Sequence, residues 1–458
     1  MSSAREPRAL AALLDKKKAA GADTRERLQA EEENARKKAF PLTAVQQNFY
    51  DIQQRSPQSL MWVLPVLYAF PSADEKRLVK AAQTMVKTHP IFCTVLSEDG
   101  TGRITQAYRP ELLPPIRVET ASEEEIAQIR ATLKDPDLPF RMTGNRLAKV
   151  RLLRTEKNVY LYLLIHHVLT DGTGIQAMPN TLKAAFRGEA PDPDCYYSWL
   201  EEESEKSRTP EYDRSREVME KLYQGVDWIG QLPTNGRVGG AENTVLGAFI
   251  PMTEEELQSR EQETGLSRTG LCALAIMLSL AKQTQRRDIL INWVFSNRGD
   301  ARLNAISCMV LRSLTLGLRF DRMETLADAC REVREQMLSN IACSAYEWCL
   351  HHPPQNGNDR LFFVYEGAIT GFDILRDIGG KMIPMLMSNQ AVVHPMSAQV
   401  LAWQKDGQPG LLLACYCNKN LYDAAETDRF KAIMREAALL MLKTPDIMER
   451  SVKGMLTA

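Results

Sequence analysis

The chain has 458 residues, 44% hydrophobic and 25% charged, and its 57 Lys and Arg nearly balance 58 Asp and Glu for a net charge of −1. Those proportions exclude a disordered chain and give no reason to expect a nucleic-acid surface, while the length exceeds one ordinary core and predicts two lobes. Nine cysteines, scattered and without a Cys-x-x-Cys pair, indicate neither a zinc site nor a disulfide framework, and the N-terminus lacks the pattern of a secretory signal, so a reduced, cytoplasmic setting is expected.

Residues 1–40 carry ten Lys or Arg and seven Asp or Glu among alanine and leucine, which reads as a solvated helix or linker ahead of a globular region starting at Pro41. Ser72 or Asp74 can start a helix to Lys87, with Leu78, Val79, Ala82 and Val86 at helical spacing. The apolar run Val159 to Ile165 reads as a strand, and it delivers His166-His167-Val168-Leu169-Thr170-Asp171-Gly172. A strand ending in a histidine pair holds an imidazole at the edge of the core, oriented by packing yet able to meet a substrate. Asp171 is close enough in the turn to orient the loop or reach a cation across it, and Gly172 and Gly174 permit backbone conformations that would let the chain fold sharply back.

Farther along, Gly236 to Gly240 reads as a surface loop. Thr253 and Glu256 form a capping-box pattern. Ser267 to Gln283 is a buried helix, and its apolar stretch Leu271 to Ala281 is too short to cross a bilayer, so no membrane span is expected. Asp288 to Phe295 reads as a central strand, Leu361 to Tyr365 and Leu411 to Cys417 as further strands, and Ala424 to Leu442 as a closing helix. Cys415 and Cys417 share one strand face as small buried thiols. A second histidine pair, His351-His352, precedes Pro353-Pro354, which places it in a loop, and with no carboxylate at ligand spacing no metal site is expected.

The string from His166 to Gly172 resembles the HHxxxDG signature of condensation domains in nonribosomal peptide synthetases, a branch of the chloramphenicol acetyltransferase-like acyltransferases. Phe40-Pro41-Leu42-Thr43-Ala44-Val45-Gln46-Gln47-Asn48-Phe49-Tyr50 resembles the family's opening motif, and Lys87 to Thr94 the helix end and strand that follow. Asp137-Leu138-Pro139-Phe140 through Val150 is similar to the segment before the signature strand, and Gly265 to Ala281, Asp288 to Ile291 and Asn297-Arg298 to the helix, strand and arginine motif of the second half. The likeness covers about residues 40 to 450. Thr88, Pro90 and Cys93 replace residues that are usually charged, Ser307 and Leu311 stand where glycine and asparagine are common, and His394 to Gln399 departs from the commonest sequence, which leaves the substrate class open.

The resemblance implies an α/β fold of two chloramphenicol acetyltransferase-like lobes, residues 41–180 and 181–458, forming a V-shaped pseudo-dimer around a central tunnel with His167 near its middle. It implies a donor acyl or aminoacyl thioester carried on the phosphopantetheine arm of a carrier protein, an acceptor amine or alcohol entering opposite, an adenylation domain as a neighbour and no cofactor bound by the domain itself. His167 would take the acceptor's proton or position the amine, His166 would support the strand end, and the Gly172 N–H could meet the developing oxyanion. Asp171 would anchor the loop with Arg298 as its partner. Trp293, Tyr365, Ser397 and Gln399 are tunnel candidates, although residues such as the first two are more often core. Three functions stand open: amide (peptide) bond formation between carrier-bound substrates, a standalone acyltransferase using acyl-CoA or a fatty acyl carrier, and a catalytically silent binding platform.

Overall fold

The structure is a computed structural model that describes residues 24–457, apart from 134, 236, 238–241, 354–359, 369–373 and 386–394. The first lobe is built on a five-stranded sheet in the order Lys381–Met382, Val63–Pro71, Asn158–His166, Ala148–Arg154, Val118–Thr120. Asn158–His166 is the middle strand, antiparallel to both neighbours, with Val63 opposite His166 on one side and Ala148 opposite Ile165 on the other. Every residue from Val159 to Ile165 is buried, because both faces of the sheet are covered; that is why the sequence shows a continuous apolar run rather than alternation. The helices Glu75–Thr88 and Gly174–Arg187 pack against each other in this lobe. A three-stranded sheet of Ala39–Pro41, Ile104–Tyr108 and Thr94–Glu98 completes it.

The second lobe carries a six-stranded sheet in the order Arg312–Arg319, Asp288–Phe295, Phe362–Ala368, Met396–Lys405, Gln408–Asn418, Asn243–Pro251. Asp288–Phe295 has a neighbour on each side but lies next to the edge strand rather than at the centre. Helices Arg268–Thr284, Leu326–Ala342 and Ala424–Lys443 share one apolar core with a single face of this sheet. The first of them is capped by Ser267 and buried continuously from Gly270 to Ala281. Thr253 and Glu256 close a reciprocal capping box on Glu254–Thr264. No single helix among the described residues is long and apolar enough to cross a membrane.

The halves interlock. Lys381–Met382, from the second half of the sequence, pairs with Tyr68 and Ala69 of the first sheet, and Leu303, Ile306, Cys308, Met309 and Val310 belong to the first core. The boundary expected between residues 180 and 181 falls inside Gly174–Arg187, and the first core continues to Leu200.

The charged N-terminal segment is helical over residues 24–35, but its end is not a solvated linker. Glu32 is buried and its carboxylate accepts from the backbone N–H groups of Tyr197 (3.2 Å) and Ser198 (2.8 Å), in the first turn of Tyr196–Lys206. A carboxylate there satisfies orphan helix donors and meets the positive end of the helix dipole. Arg36 donates to Glu32 (2.9 Å) and lies over the Tyr108 ring, and Lys38 pairs with Glu201. The expected loop Gly236 to Gly240 lies, except for Arg237, outside the described residues, as do residues 391–394.

Candidate active site

At the end of the signature strand the two imidazoles have different surroundings. His166 is buried, and its Nδ1 accepts the Val168 N–H (3.1 Å) while Nε2 lies 3.3 Å from Gln53 Oε1. Accepting at Nδ1 puts the proton on Nε2, which donates to the glutamine oxygen. Burial, and then the adjacent His167, push its pKa down to about 3, so this ring is neutral at physiological pH and cannot change charge as a working base. It is a strut.

His167 keeps part of its surface accessible. Its ring is held between Phe49 (centroids 4.8 Å apart) and Trp62 (5.7 Å, edge-on), and its backbone N–H donates to Trp62 O at 2.7 Å. Nδ1 is sealed from solvent with no hydrogen-bond partner among the described residues, which leaves Nε2 as the nitrogen facing the opening. Burial lowers its pKa from the ordinary histidine value, and nearby backbone groups of His167 and Thr170 and the Asp171 charge oppose that shift. An imidazole kept neutral, oriented by two aromatic rings and open at one nitrogen has the properties of a general base.

Asp171 does not touch either imidazole. Its Oδ1 accepts from the N–H groups of Thr173 (3.1 Å) and Gly174 (2.7 Å), and its Oδ2 from Val310 N–H (3.0 Å). Arg298 Nη2 donates to both oxygens, at 2.9 and 3.0 Å. Nη2 also donates to the Cys308 carbonyl (3.0 Å), and Nη1 to those of Ile306 (2.9 Å) and Leu303, while Nε has no partner among the described residues. The structure thus joins the signature loop to the 303–310 segment through one buried ion pair, which fixes the loop and with it His167. Thr170 Oγ1 donates to Ser307 O (2.7 Å), and Met309 N–H to Leu169 O (2.8 Å), along the same seam. Ser307 uses its hydroxyl to donate to Asp194 (2.6 Å), whose carboxylate also meets His89 at 2.7 Å.

The two glycines do not act as the sequence suggested. Neither Gly172 nor Gly174 has a positive φ. Gly174 is required by close approach instead: a Cβ there would stand 2.5 Å from Ser307 O and 2.8 Å from Thr170 Oγ1. Gly172 is exposed with open space where a Cβ would be, and its N–H has no acceptor among the described residues.

The four tunnel candidates separate by face. Trp293 is buried with Ile289 and Ile291 in the helix-covered core, and Tyr365 packs against the same core, so of their two readings the structure gives core rather than tunnel for both. Ser397 and Gln399 are partly exposed and alternate with Met396, Ala398 and Val400 of that core, so they occupy the opposite face of the sheet. The second histidine pair is split: His351 ends the short helix Trp348–His351 rather than lying in a loop, and His352 lies in the bend beyond it, as expected. The rings of His351 and His352 stack on Tyr346 and Trp348, both at 4.5 Å, and His352 Nε2 lies 3.3 Å from Glu220. Cys415 and Cys417 are buried, with their sulfurs 3.8 Å apart.

Sequence reasoning missed the residues that hold the imidazoles. Phe49 lies in the opening motif, whose likeness was visible although its contact was not; Gln53 and Trp62 carried no signal.

The family model of the Condensation domain matches residues 36–348. Among curated relatives, surfactin synthase subunit 2 of Bacillus subtilis (strain 168) is 25% identical over 320 residues, covering 67% of this chain and 9% of that protein. A nonribosomal peptide synthetase of Cordyceps militaris is 22% identical over 355 residues, covering 71% and 7%. The chain therefore spans less than a tenth of the length of these relatives. Among solved structures, the X-domain from teicoplanin biosynthesis superposes with a TM-score of 0.69 at 16% identity over 90% of this chain and 96% of that one. The first condensation domain of the calcium-dependent antibiotic synthetase gives 0.65 at 18% identity over 91% and 98%. With the family match spanning more than half of its residues, the chain belongs to the condensation-domain family.

Proposed function

We propose that this domain transfers an acyl or aminoacyl group from the phosphopantetheine thioester of a carrier protein to an amine, forming an amide bond in nonribosomal peptide assembly. The observation that carries the reading is His167: a neutral, partly accessible imidazole clamped by Phe49 and Trp62, on a loop locked by Asp171 and Arg298, within a condensation-family chain. Its Nε2 accepts the proton of the attacking amine as the new C–N bond forms and the thiolate leaves. The Gly172 N–H, exposed and without an acceptor among the described residues, is available to the developing oxyanion. His166 orients the strand end through Val168 and Gln53. No covalent intermediate on the domain and no bound cofactor enter the scheme; carrier domains, with an adenylation domain to load them, are the partners.

A carrier protein contributes contacts that a small thiol lacks, so part of the binding energy depends on it. One acyl group presented on a cognate carrier protein, on coenzyme A and on a short thiol should give kcat/KM at least about tenfold higher for the carrier, mostly through KM. Equal values for the carrier and coenzyme A would reject carrier delivery and favour a soluble acyl-CoA transferase.

A further inference from the structure

The strands Asp288–Phe295, Phe362–Ala368 and Met396–Lys405 are mutually parallel neighbours, so their C-terminal ends lie at one edge of the second sheet. From that edge Asn297 donates to Val310 O (3.0 Å) and Arg298 reaches Asp171, so the edge abuts the signature loop. Phe362 pairs with Asn292, and Glu366, four residues on, comes level with Ser296. Neighbouring strands are about 4.8 Å apart, so Glu366 lies at the same end of the sheet as the segment that leads into Arg298.

Glu366 occupies a break in regular pairing: Tyr365 is opposite Val400 and Gly367 opposite Leu401, leaving Glu366 without a partner across the ladder. Such an irregularity re-aims a side chain. Tyr365 packs toward the helix-covered core, whereas Glu366 is accessible. Its charge reaches the phenol of Tyr416, whose neighbours Cys415 and Cys417 point into that core, which puts the carboxylate on the open face with Tyr416, Ser397 and Gln399. No cation or hydrogen-bond donor meets it among the described residues, and partial desolvation by the protein around it raises its carboxyl above the ordinary range. A carboxylate that solvent can reach, walled by protein and left without a counter-charge, is a site for a cation brought from outside.

We propose that Glu366 is a specificity-determining residue that holds a cationic group, an ammonium or guanidinium, on a substrate of the acyl transfer; the inference rests on the function proposed above. The reacting amine attacks in its neutral form, so the group held is a second, non-reacting one. It can belong to the acceptor or to the donor acyl chain, and matched substrate pairs separate the two. In the first pair the acceptor is 1,4-diaminobutane or butylamine with an uncharged acyl donor; in the second the carrier bears a 6-aminohexanoyl or a heptanoyl thioester with butylamine as acceptor. For one pair the wild-type chain should favour the charged member in kcat/KM, and Glu366→Gln should reduce that preference about tenfold or more, as loss of a charge-assisted hydrogen bond does, with Glu366→Asp recovering part of it. The pair that responds identifies the side. Unchanged preference in both pairs overturns the inference while leaving acyl transfer standing. If the wild type makes no amide from any pair, acyl transfer fails, and titration of 1,4-diaminobutane into the full chain, followed calorimetrically, then decides the carboxylate's role: binding at least about tenfold tighter to wild type than to Glu366→Gln upholds it, and equal binding overturns it.

Discussion

Asp171→Ala is expected to cost about 3 to 5 kcal/mol of folding stability, because it leaves a buried guanidinium without its counter-charge. The side chains of Arg298 and Asp171 are 2% and 4% exposed, so water cannot replace the lost partner. The same substitution orphans the N–H groups of Thr173, Gly174 and Val310, each of which now has a carboxylate oxygen. Arg298→Ala strands the carboxylate instead, but those three donors remain around it. The arginine variant should therefore be the milder of the two. Removing both partners should cost less than the sum of the single losses, with a coupling of about 0.5 to 3 kcal/mol in a double-mutant cycle read by urea denaturation. Additive losses would contradict a coupled pair.

His167→Ala is expected to lower the rate of amide formation by two to four powers of ten, the usual contribution of a positioned base, with the fold retained. The melting temperature should move little compared with the Asp171 variant, since His167 Nδ1 has no hydrogen-bond partner among the described residues and the ring is only partly enclosed. The pH profile carries an independent signature. Burial lowers the pKa of His167 below 6.5, so the neutral, proton-accepting form persists as pH falls through that value. The rate constant of the chemical step should hold level from pH 8 to about 6.5 and fall only below it. A limb centred at or above the unperturbed histidine pKa would contradict the buried base, and wild-type turnover by the alanine variant would remove His167 as that base.

The strand that carries the signature was legible because its burial on both faces leaves an unbroken apolar run, Val159 to Ile165, that admits few other readings. The ion pair behind the loop was legible only through family likeness: Asp171 and Arg298 are 127 residues apart, and no local pattern links them. Faces were the weak point. Period-two alternation separates Trp293 from Asn292 and Val294 but does not say which set meets the helices, so the sequence left Trp293 readable as tunnel or core and the structure makes it core. Charge misled at Glu32, where composition alone does not distinguish a solvated carboxylate from one that caps another helix far along the chain. Gly174 shows a related limit, since its requirement arises from Ser307 O in the second half of the chain and leaves no mark on its own neighbours.

The claim that matters most is direct transfer of an acyl group from carrier thioester to amine at His167. A single-turnover reaction with a carrier loaded with one acyl group and an excess of amine, quenched over time and read by intact-protein mass spectrometry, tests it most directly. The account predicts that acyl-carrier disappears in step with amide formation, that the domain's own mass never gains the acyl group, and that both changes slow together in His167→Ala. Acyl mass accumulating on the domain, or amide forming at an undiminished rate in the alanine variant, would contradict it.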